Sequence, residues 1–373
     1  MAKCLFIAAT GKDVGKTSIS LSLIHLLSKR YKRIGYIKPI SQRFIQFSES
    51  KVGDDPVLIK EIFDLKNDIN DMSPVVIDGD FTERVIKGTI KTSFPEKIRN
   101  AYENIKKETD FIIIEGAGHA GVGAVIGQSN ADIAKMLNAD VLLIGGGGIG
   151  RAIDKMMLDK TFFEASGCNV IGVLINKVFE NKYKKVSPLL RKWFQEKQIP
   201  LFGILPYYSF LSSPKLSFIM DETNAFVLNG KRHLDRKIEK VIVGSTDADS
   251  MLELLKSLKK ETLLITSSDR IDFLLEVFTD YFKNISNSNK LAGILFSGNE
   301  STSKKVKEIF RKVDMPVLMA DKDVYELAST VSSLRPKMTF PDNENVNALK
   351  NLAEEYIDIN KLCENLNSVQ NDL

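Results

Sequence analysis

The chain has 373 residues, 43% of them hydrophobic and 27% charged, with a net charge of +4 from 52 basic and 48 acidic side chains. That length calls for two domains, the composition is that of a globular protein, and so even a charge balance singles out neither nucleic acid nor membrane as a partner. Three scattered cysteines (Cys4, Cys168, Cys363) and three scattered histidines (His25, His119, His233) form no zinc-type spacing, and neither a leader nor a bilayer-long apolar run is visible, so a cytoplasmic protein is expected.

An apolar run from Cys4 to Ala8 leads into Ala9-Thr10-Gly11-Lys12-Asp13-Val14-Gly15-Lys16-Thr17 and then a helical pattern through Leu21, Leu23, Ile24, Leu26 and Leu27. Strand, glycine loop, lysine, hydroxyl and helix in that order suit a phosphate-binding loop. The glycines let backbone N–H groups turn toward an anion, and the helix start adds its partial positive charge. Thr10, Gly11, Lys12, Asp13, Val14, Gly15, Lys16, Thr17 and Ser18 are the expected nucleotide contacts, with Lys16 reaching the β/γ-phosphates and Thr17 on Mg²⁺. The register departs from G-x-x-x-x-G-K-[ST], because Thr10 stands where the first glycine falls and Gly11 comes one place later. The alternative is a glycine turn that only starts a helix; the flanking strand and helix favour the phosphate loop.

A short strand over residues 33–40 carries Lys38 near its end. Strand carboxyl ends line the ligand crevice of open α/β sheets, so Lys38 is expected to face the phosphate loop as an electrostatic clamp, or else to be a solvated strand-end lysine. Residues 41–53 show no apolar period and read as a loop. Asp54-Asp55-Pro56 opens a helix through Leu65, and its acidic pair serves either as an N-cap or as a carboxylate for Mg²⁺. Residues 67–92 allow a short strand at Val75-Val76-Ile77 and a substrate loop. After a helix over 95–107, residues 110–116 form a buried strand ending in Glu115, the Walker B pattern that brings an acid to the metal side of a nucleotide. The glycine-rich loop Gly116-Ala117-Gly118-His119-Ala120-Gly121-Val122-Gly123 fits the substrate side, with His119 a base, a polar contact or a simply exposed residue.

Asn130-Ala131-Asp132 caps a short helix, Val141 to Ile144 is a buried strand, and the glycine run 145–150 leads into a helix over 151–165. That run follows the wrong strand for a dinucleotide fingerprint. Strands at 170–175 and 201–205 come next, with Asn176 either reading a purine ring or forming a turn. From Asn229-Gly230 strands (240–244, 262–266, 291–296, 317–320) alternate with helices (249–258, 268–282, 302–312), which predicts a second, smaller α/β domain without a catalytic group. Asp269-Arg270 there is a helix cap with an ion pair or a ligand contact, and Phe273, Leu274, Val277 and Phe278 are expected in the core. Beyond Arg335-Pro336 a final helix and tail are expected.

These motifs resemble the dethiobiotin synthetase branch of the P-loop NTPases, and in particular the domain of that type at the front of long phosphotransacetylases and in stand-alone relatives. The carriers are Thr10-Gly11-x-x-Val14-Gly15-Lys16-Thr17-Ser18, Gly35-Tyr36-x-Lys38-Pro39-Ile40, Glu115-Gly116-x-Gly118-His119, Ser129-Asn130-Ala131-Asp132 and Asn176-Lys177. Leu228-Asn229-Gly230, Val243-Gly244 and Asp269-Arg270 are similar to a DRTGG-type domain, although Ser297-Gly298-Asn299 stands where Thr-Gly-Gly is usual. The expected architecture is an α/β P-loop domain with a mostly parallel sheet over 1–226, a DRTGG-type α/β domain over 227–340, and a helix and tail over 341–373. The resemblance implies ATP and Mg²⁺ as cofactors, Lys16, Lys38 and Glu115 as catalytic groups, Thr17, Asp55 (or Asp54) and Glu115 on the metal side, and Asn176 at adenine. It implies phosphorylation of a small carboxylate or carbamate as the reaction, with a nucleotide-sensing module as the alternative, and pairing of two P-loop domains as a homodimer. The loop around His119 and Gln42 beside Lys38 both depart from the synthetase pattern, so the acidic substrate is not identified. An acetyl-transfer domain after the second domain is not expected.

Overall fold

The computed structural model describes residues 2–270, 275, 290–299, 304, 306–308, 310–311, 314–334 and 343–368. It divides into two compact units, Met1–Tyr208 with Thr339–Leu373, and Ser209–Met338.

The first unit is built on a six-stranded sheet in the order β10-β9-β8-β1-β7-β2. Its strands are β1 (Lys3–Ala9), β2 (Ile34–Ile37), β7 (Phe111–Glu115), β8 (Asp140–Gly145), β9 (Val170–Phe179) and β10 (Leu201–Tyr207). Every pairing in it is parallel. Such a sheet is covered on both faces, which is why Phe111 to Ile114 and Val141 to Ile144 are fully buried. The chain leaves β1 between β7 and β8, so the loop after β1 opens at the point where the strand order reverses, the place where open α/β sheets take their ligands.

Two short sheets lie between β2 and β7 in sequence. β3 (Ile40–Ser41) pairs with β6 (Val75–Val76), and β4 (Phe44–Phe47) pairs with β5 (Ser50–Gly53) in an antiparallel hairpin. The hairpin replaces the loop expected over 41–53. Its first strand is mostly exposed and shows no inside/outside alternation, so the period-2 signal of a strand is missing from the sequence.

The first helix, Lys16–Ser28, buries Ile19, Leu21, Leu23, Ile24, Leu26 and Leu27, more than one face of a helix carries. A second cover accounts for it. The helix Asn343–Tyr356 packs against it and buries Val346, Leu349 and Ala353. His25 Nε2 and Lys29 Nζ both reach Glu354 Oε1, at 2.8 and 2.5 Å. Ile357 then bridges to Gly203 and the Asp358 amide donates to Phe202 O at 2.8 Å, fastening the start of the last helix, Ile359–Ser368, to β10. Within the segment over 341–373, expected as a helix and tail after the second domain, residues 343–368 thus pack as two helices on the first unit. The first unit also ends earlier than the expected 226, at Tyr208.

The second unit holds a five-stranded sheet in the order β11-β15-β14-β13-β12. These strands are β11 (Phe226–Asn229), β12 (Lys240–Val243), β13 (Thr262–Ser267), β14 (Leu291–Ser297) and β15 (Val317–Ala320). β11 alone is antiparallel, at the edge. One face packs Leu228, Met251, Phe296 and Phe310, the other Leu216, Leu263, Leu318 and Leu327. Asp269-Arg270 lies in a single 3-10 turn, Ser268–Arg270, and the Arg270 guanidinium donates to the Gly244 and Thr246 carbonyls. The helix expected over 268–282, and with it Phe273, Leu274, Val277 and Phe278, lies largely outside the described residues, as do Arg335-Pro336; of the helix expected over 302–312, residues 304, 306–308 and 310 are described and helical. Among the described residues no helix is long and apolar enough to cross a membrane.

Docking of the Asn343–Tyr356 helix as part of the first unit has a measurable consequence. Leu349→Ala, at a position 4% exposed, is expected to cost about 2–4 kcal/mol in urea unfolding of the full chain. A loss under about 1 kcal/mol, the range of an exposed site, contradicts the docking.

Candidate functional site

Glu115 ends β7 with no solvent exposure at all. A buried carboxylate needs a full set of donors, and this one has four. Oε2 accepts from Ser20 Oγ at 2.7 Å and from Tyr36 OH at 3.0 Å. Oε1 accepts from Thr17 Oγ1 and from Lys38 Nζ, both at 3.0 Å. The Lys38 ammonium also pairs with Asp55 Oδ2, from the first turn of the helix Asp54–Phe63. Lys38, Asp55 and Glu115 therefore form one buried ionic cluster with a net charge of −1. Burial by itself depresses the Lys38 pKa, but the two carboxylates outweigh it and hold the ammonium well above the ordinary lysine range. Burial, reinforced by Glu115 and Asp55, likewise pushes the Tyr36 phenol far up, so it stays a donor. Of the acidic pair, Asp55 faces Lys38, whereas Asp54 Oδ1 accepts the Asp55 amide at 3.0 Å.

The phosphate loop turns at Gly15, whose φ of 98° suits glycine; a Cβ there would sit 2.5 Å from Asn176 Nδ2. Lys16 folds back over the loop, donating to Gly11 O at 3.2 Å and Gly118 O at 2.8 Å. Burial, with Lys38 adding to it and Glu115 opposing it, lowers its pKa to about 8. Thr10 is buried, Lys12 and Asp13 are exposed, and Gly11, Val14, Thr17 and Ser18 are intermediate. Asn176 at the far side of the loop is occupied with the protein: Nδ2 donates to Val14 O and Oδ1 accepts the Lys177 amide, both at 2.9 Å. Lys177 Nζ adds a bond to Asp13 O at 2.5 Å. Here Asn176 and Lys177 brace the loop.

The glycine-rich loop after β7 is pinned by Asn130, which accepts the Ala117 amide at 3.1 Å and donates to Ala117 O and His119 O at 2.5 and 2.6 Å. The cap of the following helix falls to Ser129 rather than Asn130, in a capping box with Asp132. His119 is exposed, and its Nδ1 accepts the Gly121 amide at 3.3 Å. Gln42 is also exposed. Among the described residues no three His, Cys, Asp or Glu side chains are grouped to hold a metal ion. Thr17, Asp55 and Glu115 offer instead an all-oxygen set of one hydroxyl and two carboxylates, which fits an ion that takes the rest of its shell from water and phosphate, as Mg²⁺ does.

An AAA domain family, a group of P-loop proteins, matches this sequence over residues 3–215. The chain belongs to that family. A DRTGG domain matches residues 218–334. Among curated proteins, the phosphate acetyltransferase of Synechocystis is 25% identical over 376 residues, covering 99% of this chain and 52% of that protein. That of Pseudomonas putida is 25% identical, covering 95% and 50%. The chain thus spans about half the length of the curated relatives it matches. Among solved structures, a cobyrinic acid a,c-diamide synthase from Mycobacterium smegmatis with bound ADP and magnesium aligns at TM-score 0.34 and 15% identity, covering 56% of this chain and 87% of that one. The MinC:MinD cell division complex of Aquifex aeolicus aligns at TM-score 0.36 and 15% identity, covering 56% and 84%. Scores this low carry nothing of either protein's ligands over to this P-loop protein.

In this P-loop domain two donors to Glu115, Ser20 and Tyr36, are given no role by the motif-based reading. Both had a signal. Ser20 follows Thr17 by three residues and so shares its helix face, and Tyr36 precedes Lys38 by two and so shares its side of the strand. Tyr36→Phe removes a donor from a buried carboxylate and is expected to cost about 1.5–3 kcal/mol in urea unfolding. A change below about 0.5 kcal/mol would show that the phenol does not hold Glu115.

Proposed function

We propose that the first unit binds Mg²⁺–ATP and uses it to phosphorylate a small carboxylate or carbamate, in the manner of the dethiobiotin synthetases. The observation that carries the reading is the convergence of Thr17, Lys38, Asp55 and Glu115 beside Lys16 at the mouth of the parallel sheet. Thr17, Asp55 and Glu115 would hold the ion, which when bound supplies positive charge against the phosphate oxygens. Lys16 rests on two carbonyl oxygens, Gly11 and Gly118, and an arriving phosphate offers it a stronger, charged partner. Lys38 holds its proton firmly and supplies a fixed positive charge beside Glu115, suited to an oxyanion that builds up during transfer. Glu115 cannot turn away, because Ser20 and Tyr36 hold its second oxygen. The residues thus contribute position and charge, which is what phosphoryl transfer asks of a protein.

A second reading, a nucleotide-sensing regulatory module, is supported by the span of the match to about half of proteins named phosphate acetyltransferase. Steady-state release of ADP and phosphate, with ATP, Mg²⁺ and a panel of small carboxylic acids and carbamates, separates the two. Turnover raised at least about tenfold by one panel member, and abolished in Lys16→Ala, is the outcome expected for the enzyme; it corresponds to about 1.4 kcal/mol of transition-state stabilisation. ATP that binds tightly but is not consumed with any of them assigns the sensor.

Two further results are expected of Lys16. Lys16→Ala abolishes ATP binding in a calorimetric titration while the chain still unfolds in one cooperative urea transition; unchanged affinity removes the phosphate-loop assignment. With its pKa at about 8, Lys16 is about half deprotonated at pH 8, and a nearby triphosphate favours the charged form. ATP binding at pH 8 should therefore take up about half a proton at this group, fading as the pH falls to 6.5 and the lysine is already charged. Titration in two buffers of different ionisation enthalpy reads the uptake. Equal apparent enthalpies at pH 8 contradict the contact.

A further inference from the structure

The second unit contains a cleft of about 590 Å³ that the phosphate-loop chemistry does not use. It is formed where β11 ends. Met220 from the helix Leu216–Thr223, Val227 and Leu228 from β11, and Leu234 after the 3-10 turn Lys231–His233 provide apolar walls. Lys231 and Lys307 line the same space, 76 residues apart in sequence, and among the described residues no Asp or Glu lines it.

The turn that carries Lys231 is held firmly. Gly230 has a φ of 68°, and a Cβ there would meet the Met315 carbonyl carbon and oxygen at 2.3 Å, so the chain crosses close against its neighbour. Asn229 Nδ2 donates to Phe310 O at 2.9 Å, joining the end of β11 to the stretch that carries Lys307. The basic residues after Lys231 are neutralised: Arg232 Nε and His233 Nε2 both reach Asp314 Oδ1 at 3.1 Å. Lys231 and Lys307 have no carboxylate partner among the described residues. A cleft lined by two lysines with no carboxylate partner among the described residues, and by an apolar wall, suits a molecule with a doubly charged anionic end and an apolar body. Its volume lies within the range of about 300–1,000 Å³ typical of small-molecule sites.

We propose that the DRTGG-type unit binds a small organic dianion, a phosphate monoester or a compact dicarboxylate, in this cleft, with Lys231 and Lys307 on the charged end and Met220, Val227 and Leu234 on the body. The inference stands apart from the reading of the phosphate loop and holds whether that loop turns ATP over or only senses it.

Phenyl phosphate, dianionic at pH 8 with one apolar ring, is the probe. Its binding to the full-length chain is followed by calorimetry, beside inorganic phosphate and phenol as controls. The Lys16→Ala chain serves as a second background in which the phosphate loop is disabled. Expected are saturable binding of phenyl phosphate, retained in Lys16→Ala, at least about tenfold weaker in Lys231→Gln/Lys307→Gln, and weaker still for inorganic phosphate or phenol alone, since each offers only half of the complement. Both lysines are exposed, so the double variant keeps the fold, checked by an unchanged urea midpoint. Binding that disappears in Lys16→Ala places the probe in the phosphate loop and overturns the proposal. So does binding indifferent to the double variant, or none at millimolar probe.

Discussion

Glu115 lies at the carboxyl end of the central strand pair with no access to water, and everything around the phosphate loop is arranged to make that tolerable. A lone buried carboxylate destabilises the fold; three hydroxyls and an ammonium replace the water this one has lost. Those donors come from two separate parts of the chain: the first helix supplies Thr17 and Ser20, β2 supplies Tyr36 and, just after it, Lys38. The single demand of one acid thus fixes how the first helix sits over the sheet and how β2 ends. Asp55 completes the cluster by giving the Lys38 ammonium a second partner. Removing either partner from such a cluster would leave a buried charge exposed to the low-dielectric interior, a cost of about 3–5 kcal/mol. The same arrangement holds the groups that can meet a phosphate in fixed positions before any ligand arrives.

The phosphate loop is braced from the other side as well. Asn176 and Lys177, at a kink in β9 where Lys177 has a φ of 62°, fasten Val14 and Asp13 by their carbonyls. Asn130 fastens the loop after β7, whose Gly118 carbonyl receives Lys16. Backbone N–H groups can aim at an anion only if the loop does not collapse onto itself, and the braces on the phosphate loop, to Val14 O and Asp13 O, consume carbonyl oxygens rather than N–H donors. The helix Asn343–Tyr356 extends the support outward, since it covers the face of the first helix that the sheet leaves open.

The two units divide their chemistry cleanly. The ionic cluster and the phosphate loop belong to the first, and the second offers a basic cleft with apolar walls and no acid. A ligand in one could act on the other only through different affinities for two states of the whole protein. The family match has the same division, with the AAA domain over 3–215 and the DRTGG domain over 218–334.

Strand–loop–helix at residues 4–28, a buried strand ending in Glu115, a lysine closing the second strand and the renewed alternation after 229 are all legible in the sequence, because each is a local pattern of apolar period and turn residues. The hairpin over 44–53 was not legible, since its mostly exposed first strand carries no alternation. The choice of Asp55 over Asp54 depends on how one helix is rotated against Lys38. Asn176 reads by default as a turn residue, with a purine contact as the alternative, until its partner, Val14 O, is known. The final helices read as helices, but their place against the first helix is a matter of which apolar face remained open. The local order of elements, then, and the residue types at their ends were determined by the sequence itself. Only the tertiary structure decided which of those ends meet: bonds such as Ser20–Glu115 and Asn176–Val14 join residues 95 and 162 positions apart, and burial of a charge selects its partners in space, where sequence spacing leaves no trace.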